Sequence, residues 1–221
     1  VASETIKPTE RKKNTIFNII SVGRFVPLKG FDLSIDAFAN MLSKLNHKEK
    51  KNTKLTLVGK GPWEQQLKNQ VKQLNIEAYV EFIPWIERFK LQDIYKQASV
   101  FLFPSHEGAG MVVAEALSYG LPIVCLDNAG PGEFINEDSG IKIALNNYND
   151  TVSELSKALI KLLENPTLLH SLSIGAIKRH EAFFQWNLRG EELKKQYREI
   201  LKIKESSNYS IQTKFNSSKI T

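Results

Sequence analysis

One cysteine among 221 residues, Cys125, excludes an internal disulfide. Its setting, the apolar run Pro122-Ile123-Val124-Cys125-Leu126, reads as a small buried hydrophobe and not as a nucleophile. No apolar run approaches the roughly 18 residues of a membrane-spanning helix. The opening Val1-Ala2-Ser3-Glu4 is polar, without the apolar core of a secretory signal. Both absences point to a cytoplasmic protein, so the three glycosylation sequons at Asn149, Asn208 and Asn216 carry little weight. A stripe of positive charge interleaved with aromatics is also missing. The net charge of +6 is spread along the chain, with clusters only at Arg11-Lys12-Lys13 and Lys48-Glu49-Lys50-Lys51. No nucleic-acid partner is expected from that pattern, although the modest basic excess suits an anionic ligand or surface. No acidic cluster suggests a metal site.

With 42% hydrophobic residues the chain can bury a sizeable core, and its length favours one domain. Residues 1–14 read as a polar linker and residues 206–221, rich in Ser, Asn, Lys and Thr, as a flexible tail. Between them, over 15–205, strands alternate with helices. Ile16–Val22 is an apolar strand ending at Gly23, and from Asp32, a plausible N-cap, Ile35, Phe38, Leu42 and Leu45 recur at helical spacing. Leu55–Val58 is a second strand, after which Pro62 suits the first position of a helix carrying Leu67, Val71 and Leu74. The spacing then predicts a strand at Tyr79–Ile83, a helix over 87–98, a strand at Val100–Phe103, a helix at Met111–Tyr119, and strands at Ile123–Leu126 and Ile141–Ile143. Three helices follow: Val152–Leu163, one from Pro166, and Leu188 to about Ile203. The fold class is α/β, a Rossmann-like doubly wound parallel sheet with additional C-terminal helices. No internal repeat is visible.

In such a sheet, ligands bind beyond the carboxyl ends of the strands. The loops there are unusual: Gly23-Arg24-Phe25-Val26-Pro27-Leu28-Lys29-Gly30, Gly59-Lys60-Gly61-Pro62, Pro84-Trp85, Pro104 to Gly110, and Asp127 to Glu133. Gly108 and Gly110 allow close backbone approach, and a helix starting near Met111 aims free N–H groups at that point, where an anion belongs. Arg24 can fork onto phosphate oxygens and Lys29 can act as a mobile charge. Together they make a diphosphate cradle that needs no metal. Glu107 and Glu115 border the same pocket, too far apart along the helix to share a proton, and ionised carboxylates accept hydrogen bonds from sugar hydroxyls. An exposed turn and a solvated helix face are the plainer reading of the two glutamates.

These pieces, in order, carry a resemblance: Gly23-Arg24-Phe25 followed by Lys29-Gly30, Gly59-Lys60-Gly61-Pro62, Pro104-Ser105 before Glu107, Glu115 after an interval of seven residues, Gly120-Leu121-Pro122-Ile123-Val124, Gly130 to Glu133, and Gly140. From Ser21 to Tyr197 the chain resembles the C-terminal domain of family 4 retaining glycosyltransferases, whose GT-B architecture has two Rossmann-like domains facing across a cleft. The resemblance implies that Arg24 and Lys29 bind the donor diphosphate, helped by backbone N–H groups at Gly110 and Met111. It implies that Glu107, with Gly108 and Ala109, holds the transferred sugar, that Glu115 takes the ribose hydroxyls, and that backbone at Ile83 and Pro84 lines the nucleobase. Glu107, Arg24 and Lys29 would then be the catalytic set. The partners implied are a UDP or GDP sugar and an N-terminal Rossmann-like domain absent from this sequence, so that the chain reads as a fragment inactive alone. No cofactor is implied, and polysaccharide or glycolipid assembly is the setting the family suggests. Pro84 stands where the family often has Gly, and Ala109 where it usually has an aromatic. Trp186, Tyr197 and the basic last helices are candidates for packing against the other domain or for peripheral membrane association at the inner face.

Rival chemistries fit less well. Gly59-Lys60-Gly61 opens like a dinucleotide fingerprint but has Glu64 at the third glycine, and no Gly-x-x-x-x-Gly-Lys-Ser/Thr run is present. A glycosidase using Glu107 and Glu115 would have no use for Arg24 and Lys29. His106 as a general base competes poorly with its neighbour Glu107. The alternative from another class is a module that binds a nucleotide-sugar without transferring it.

Overall fold

Phe17–Val22 forms the first strand, β1, because five of its six side chains are buried on alternate faces of a sheet covered on both sides. The computed structural model describes residues 16–108 and 110–217, with side chains to Lys202 except Trp186. The linker expected over 1–14, together with Ala109 and residues 218–221, lies outside the described residues. β2 (Thr53–Val58) flanks β1 on one side and β4 (Val100–Phe103) on the other. β3 (Val80–Ile83) adds to β2, and β5 (Ile123–Leu126) and β6 (Gly140–Ile143) extend from β4. The order is β3-β2-β1-β4-β5-β6 and every pairing is parallel. The sheet therefore grows outward in both directions from the β1/β4 junction, the switch point beyond whose carboxyl ends sheets of this kind form their ligand crevice.

Helices cover both faces: α1 (Phe31–Lys44), α2 (His47–Lys51), α3 (Glu64–Gln73), α4 (Arg88–Gln97), α5 (Met111–Ser118), α6 (Pro131–Phe134), α7 (Tyr148–Glu164) and α8 (Pro166–Phe183). The stripe Phe31, Ile35, Phe38 and Leu42 of α1 is buried with Leu155, Leu159 and Leu162 of α7 in one core. Each such side chain contributes roughly 1.5–3 kcal/mol. Polar ties fix the layers, Ser156 Oγ donating to Asn40 Oδ1 (3.0 Å) and Ser173 Oγ to the carbonyl of Gly120 (2.7 Å). Cys125, fully buried on β5, has its thiol pushed up to about 12 by burial, so it is the inert hydrophobe its surroundings suggest.

Two compact units divide the chain, residues 1–180 and 181–221. The second contains α9 (Trp186–Ser217), near whose start Arg189 lies 3.8 Å from the Phe183 ring centroid and donates to the Phe183 carbonyl at 2.9 Å. Among the described residues no helix is long and apolar enough to cross a membrane.

Several element ends differ from the sequence reading. The N-cap of α1 is Gly30, not Asp32, because the chain leaves a 3-10 turn at Pro27–Lys29 through a left-handed residue (φ 63°). Asp32 sits in the first helical turn, and burial raises its pKa. Pro62 precedes α3 by two residues, because the Trp63 N–H is held by the Phe25 carbonyl at 3.1 Å. The last helix runs past Ile203 to Ser217, through the segment read as a tail, since no Gly or Pro follows Gly190 to stop it. The two shortest helices were not anticipated, although Asn46 and Glu49 form a capping box at α2.

Candidate functional site

The loop after β1 is held from below by one aromatic. Phe25 is buried, edge-on to Phe31 (centroids 4.7 Å apart) and Phe82 (6.1 Å), while its neighbour Arg24 is exposed. The backbone of Phe25 pairs with the next loop, accepting from Trp63 and donating to the Lys60 carbonyl at 3.0 Å. Alternating an apolar anchor with a cation thus fixes the loop and leaves the guanidinium at the surface of the crevice. The 3-10 turn then lifts Lys29, and Gly30 returns the chain into α1.

The loop after β4 closes against that turn. The Leu28 carbonyl accepts from the Ser105 hydroxyl (3.0 Å) and from the His106 N–H (2.8 Å). A Cβ on Gly30 would stand 2.1 Å from the Pro104 carbonyl oxygen, so the two loops approach more closely than any other residue allows. The side chains meet as well, Lys29 Nζ making an ion pair with Glu107 Oε2, both mostly buried. Lys29 Nζ also lies 5.3 Å from the centroid of Phe103, the last residue of β4. From the far side, Gly130 (φ 118°) lets the β5 loop press on Glu107, where a Cβ would fall 2.0 Å from its carbonyl oxygen. Asn128 Nδ2 donates to the Ser105 carbonyl at 2.8 Å. Three loops therefore converge on Glu107.

Past Glu107 the chain reaches Gly110, the N-cap of α5, which has no side-chain cap. The first amides of a helix, here those of Met111 and Val112, have no intrahelical acceptor. Met111 is exposed and Gly110 is buried against Val113 and Pro131. Gly108 has no heavy atom within 4 Å of a built Cβ, so it borders open space.

Glu115, one turn into α5, faces α4. Its carboxylate lies 3.7 Å from the Arg88 guanidinium. It also stands close enough to the buried Tyr95 hydroxyl to help burial raise that group's pKa well above the usual tyrosine range. Among the described residues the Tyr95 hydroxyl has no hydrogen-bond partner. Ile83 ends β3, and its carbonyl accepts from the Gly59 N–H at 2.9 Å. Pro84 and Trp85 follow, both exposed.

The structure thus brings Lys29 onto Glu107, with Arg24 farther back on the loop of Lys29 and Gly108, Gly110 and Met111 following Glu107 along the chain. Glu115, Ile83 and Pro84 lie on the neighbouring strand and helix ends; Ala109 is outside the described residues. Lys29 and Glu107 were read as serving separate parts of one ligand, whereas here they contact each other. The sequence reading missed Arg88, whose position at the start of α4 gave no motif to find it by. It also left Lys60 and Trp85 without a role, although both stand in loops already singled out.

Proteins of similar sequence and fold are known. A sequence profile described as "Glycosyl transferases group 1" matches residues 2–179. An uncharacterized glycosyltransferase of Haemophilus influenzae is 34% identical over 162 residues, which are 70% of this chain and 42% of that protein. The GDP-Man:Man(3)GlcNAc(2)-PP-Dol alpha-1,2-mannosyltransferase of Dictyostelium discoideum is 35% identical over 152 residues, 62% of this chain and 30% of its own. The chain thus spans less than half the length of either. Among solved structures, the pneumococcal O-GlcNAc transferase GtfA in complex with UDP and GlcNAc superposes with a TM-score of 0.74 at 22% identity, over 90% of this chain and 38% of that one. That likeness shows a shared Rossmann-like α/β fold. With its six-stranded parallel sheet and a profile match over most of its length, this chain belongs to the glycosyl transferases group 1 family.

Proposed function

We propose that this chain is the donor-binding domain of a retaining, metal-independent glycosyltransferase that moves a sugar from a nucleoside-diphosphate sugar to an acceptor held by a second Rossmann-like domain. One observation carries the reading: the loops after β1 and β4 meet at the switch point with Lys29 on Glu107, beside exposed Arg24 and the uncapped start of α5. The names of two similar proteins add to it, one referring to GDP-Man and the other to UDP and GlcNAc.

In this reading the donor's diphosphate lies between Arg24, Lys29 and the amides of Gly110 and Met111. As the glycosidic bond breaks, negative charge gathers on the departing diphosphate, and cations and helix amides already in place stabilise the oxocarbenium-like transition state. Lys29 exchanges its carboxylate partner for phosphate oxygens on donor binding. Glu107 is thereby released to accept hydrogen bonds from the sugar hydroxyls, so one ion pair couples the two ends of the reacting bond. Glu115 takes the ribose hydroxyls. Attack by the acceptor from the face the diphosphate leaves gives retention.

Calorimetric titration of the chain with UDP, GDP and ADP, with and without EDTA, tests the reading. At least one nucleoside diphosphate is expected to bind with a Kd indifferent to chelator. Arg24→Ala is expected to weaken that binding by roughly 1.5–3 kcal/mol, the range for a hydrogen bond to a charged group. Silence with all three nucleotides, or binding that needs added magnesium, overturns it.

A further inference from the structure

Tyr95, on α4, is only 2% exposed, its ring packed near Phe101 of β4 (centroids 6.2 Å apart) and stacked on Tyr119 (5.3 Å, 18° between planes). That packing uses the ring alone, and phenylalanine would supply it. The hydroxyl is buried and, among the described residues, has no hydrogen-bond partner. A polar group in that state has given up water and gained nothing, so its presence calls for a reason.

The neighbouring helix supplies one. Arg88 of α4 lies against Glu115 of α5, and farther along the same two helices Tyr95 lies against Tyr119. Arg88 and Tyr95 are seven residues apart and Glu115 and Tyr119 four, so each pair shares a face of its helix. Long helical side chains lean back toward the start of their helix, which carries the Tyr95 hydroxyl from the level of Tyr119 toward that of Glu115. Burial, and after it the Glu115 carboxylate, raises the hydroxyl well above the usual tyrosine range. Glu115 is itself loosely held: the Arg88 guanidinium stands 3.7 Å away on a side chain 56% exposed, beyond hydrogen-bond length and well screened.

We propose that Tyr95 is a positioning residue for Glu115, its hydroxyl donating to one carboxylate oxygen once a nucleoside diphosphate is bound and so turning the other oxygen toward the ribose diol. This rests on the donor-site reading and deepens it. Without ligand the carboxylate leans on Arg88 and the hydroxyl is unpaired. A diol that draws Glu115 off the guanidinium brings it within reach of Tyr95, so the hydrogen bond forms only in the complex and favours ligands that carry the diol.

The test titrates the wild-type chain and Tyr95→Phe with UDP, GDP and ADP and with their 2′,3′-dideoxy counterparts, and unfolds both chains in urea. Tyr95→Phe keeps the ring and removes an unsatisfied group, so its urea midpoint is expected to equal or exceed that of wild type. Binding of the preferred ribonucleotide is expected to weaken about tenfold, near the low end for a hydrogen bond to a charged group, with the dideoxy nucleotide nearly unaffected. In a Glu115→Ala background, where nothing is left to position, Tyr95→Phe is expected to change neither affinity. Equal ribonucleotide affinity in wild type and Tyr95→Phe overturns the proposal alone. So does a loss shared by the dideoxy compounds or persisting in Glu115→Ala, and so does a lower urea midpoint, which would mean that the hydroxyl is already satisfied in the free chain. A wild-type chain that binds ribo- and dideoxynucleotides equally removes Glu115 from the ribose, and Tyr95 with it. One that binds no nucleoside diphosphate overturns the donor reading itself.

Discussion

The two sides of the crevice are built on different principles. Around β1 and β4 the loops are locked: Gly30 against Pro104, Ser105 and His106 on one carbonyl, Gly130 against Glu107, and an ion pair across the gap. Around β2 and β3 the loops present their side chains outward, with Lys60, Pro84, Trp85 and Arg88 all exposed. Position is thus over-determined where, in our reading, bond-breaking charge must be met by groups already in place. It is left slack where a ligand's nonreacting end is gripped by surface contact. Preorganised electrostatics loses its value with small displacements, whereas stacking and exposed cations tolerate them.

The sharpest way to test the fit of the locked side is to add one methyl group at its tightest point and one at an open position of the same pair of loops. Gly30→Ala places a Cβ 2.1 Å from the Pro104 carbonyl at a φ of +63°. The clash and the left-handed backbone together should cost about 3–5 kcal/mol, seen as a lower urea midpoint with an unchanged m-value. Gly108→Ala, whose Cβ would meet nothing within 4 Å, should shift stability by less than about 0.5 kcal/mol. Similar losses for the two would show that the approach of Gly30 to Pro104 is no more closely fitted than the open end of the β4 loop.

Much of this was legible beforehand, for identifiable reasons. All six strands could be read because they are short, largely apolar runs, and four of the five crevice loops followed because the run ends in Gly or Pro, the fifth beginning at Asp127. Glycines marked the tight approaches, but which pairs approach one another depends on strand order. Gly30 meets Pro104 and Gly130 meets Glu107 only because β4 lies between β1 and β5. The Lys29–Glu107 and Arg88–Glu115 contacts were hidden for the same reason, each joining segments far apart in sequence. Helix ends shifted where tertiary hydrogen bonds outweighed local preference, as when Phe25 holds Trp63 and delays α3 past Pro62.

The locked side makes a second, smaller prediction. Lys29 and Glu107 side chains are 20% and 18% exposed, so their ion pair is only partly screened. In a double-mutant cycle built from Lys29→Met and Glu107→Gln, the coupling energy in urea unfolding should be about 1.5 kcal/mol, the low end for a charge-assisted bond. Since either variant also disturbs the proposed donor site, stability and not binding is the measurement to use. A coupling near zero would leave backbone packing as the sole lock between the two loops.

The open side supplies the comparison's smallest effect. Arg88 and Glu115 stand 3.7 Å apart with side chains 56% and 29% exposed. Water screens such a pair, and holding a long arginine still costs side-chain entropy that offsets most of the attraction, leaving about 0.2–0.5 kcal/mol. The cycle of Arg88→Ala and Glu115→Gln should therefore show a coupling several times weaker than that of Lys29 and Glu107. It should also fade as salt rises from 50 mM to about 500 mM, as screening of an exposed pair requires. A salt-resistant coupling as large as the buried one would mean that α4 and α5 are clamped together at the crevice. The side assigned to the nonreacting end of the ligand would then be no looser than the side assigned to the bond.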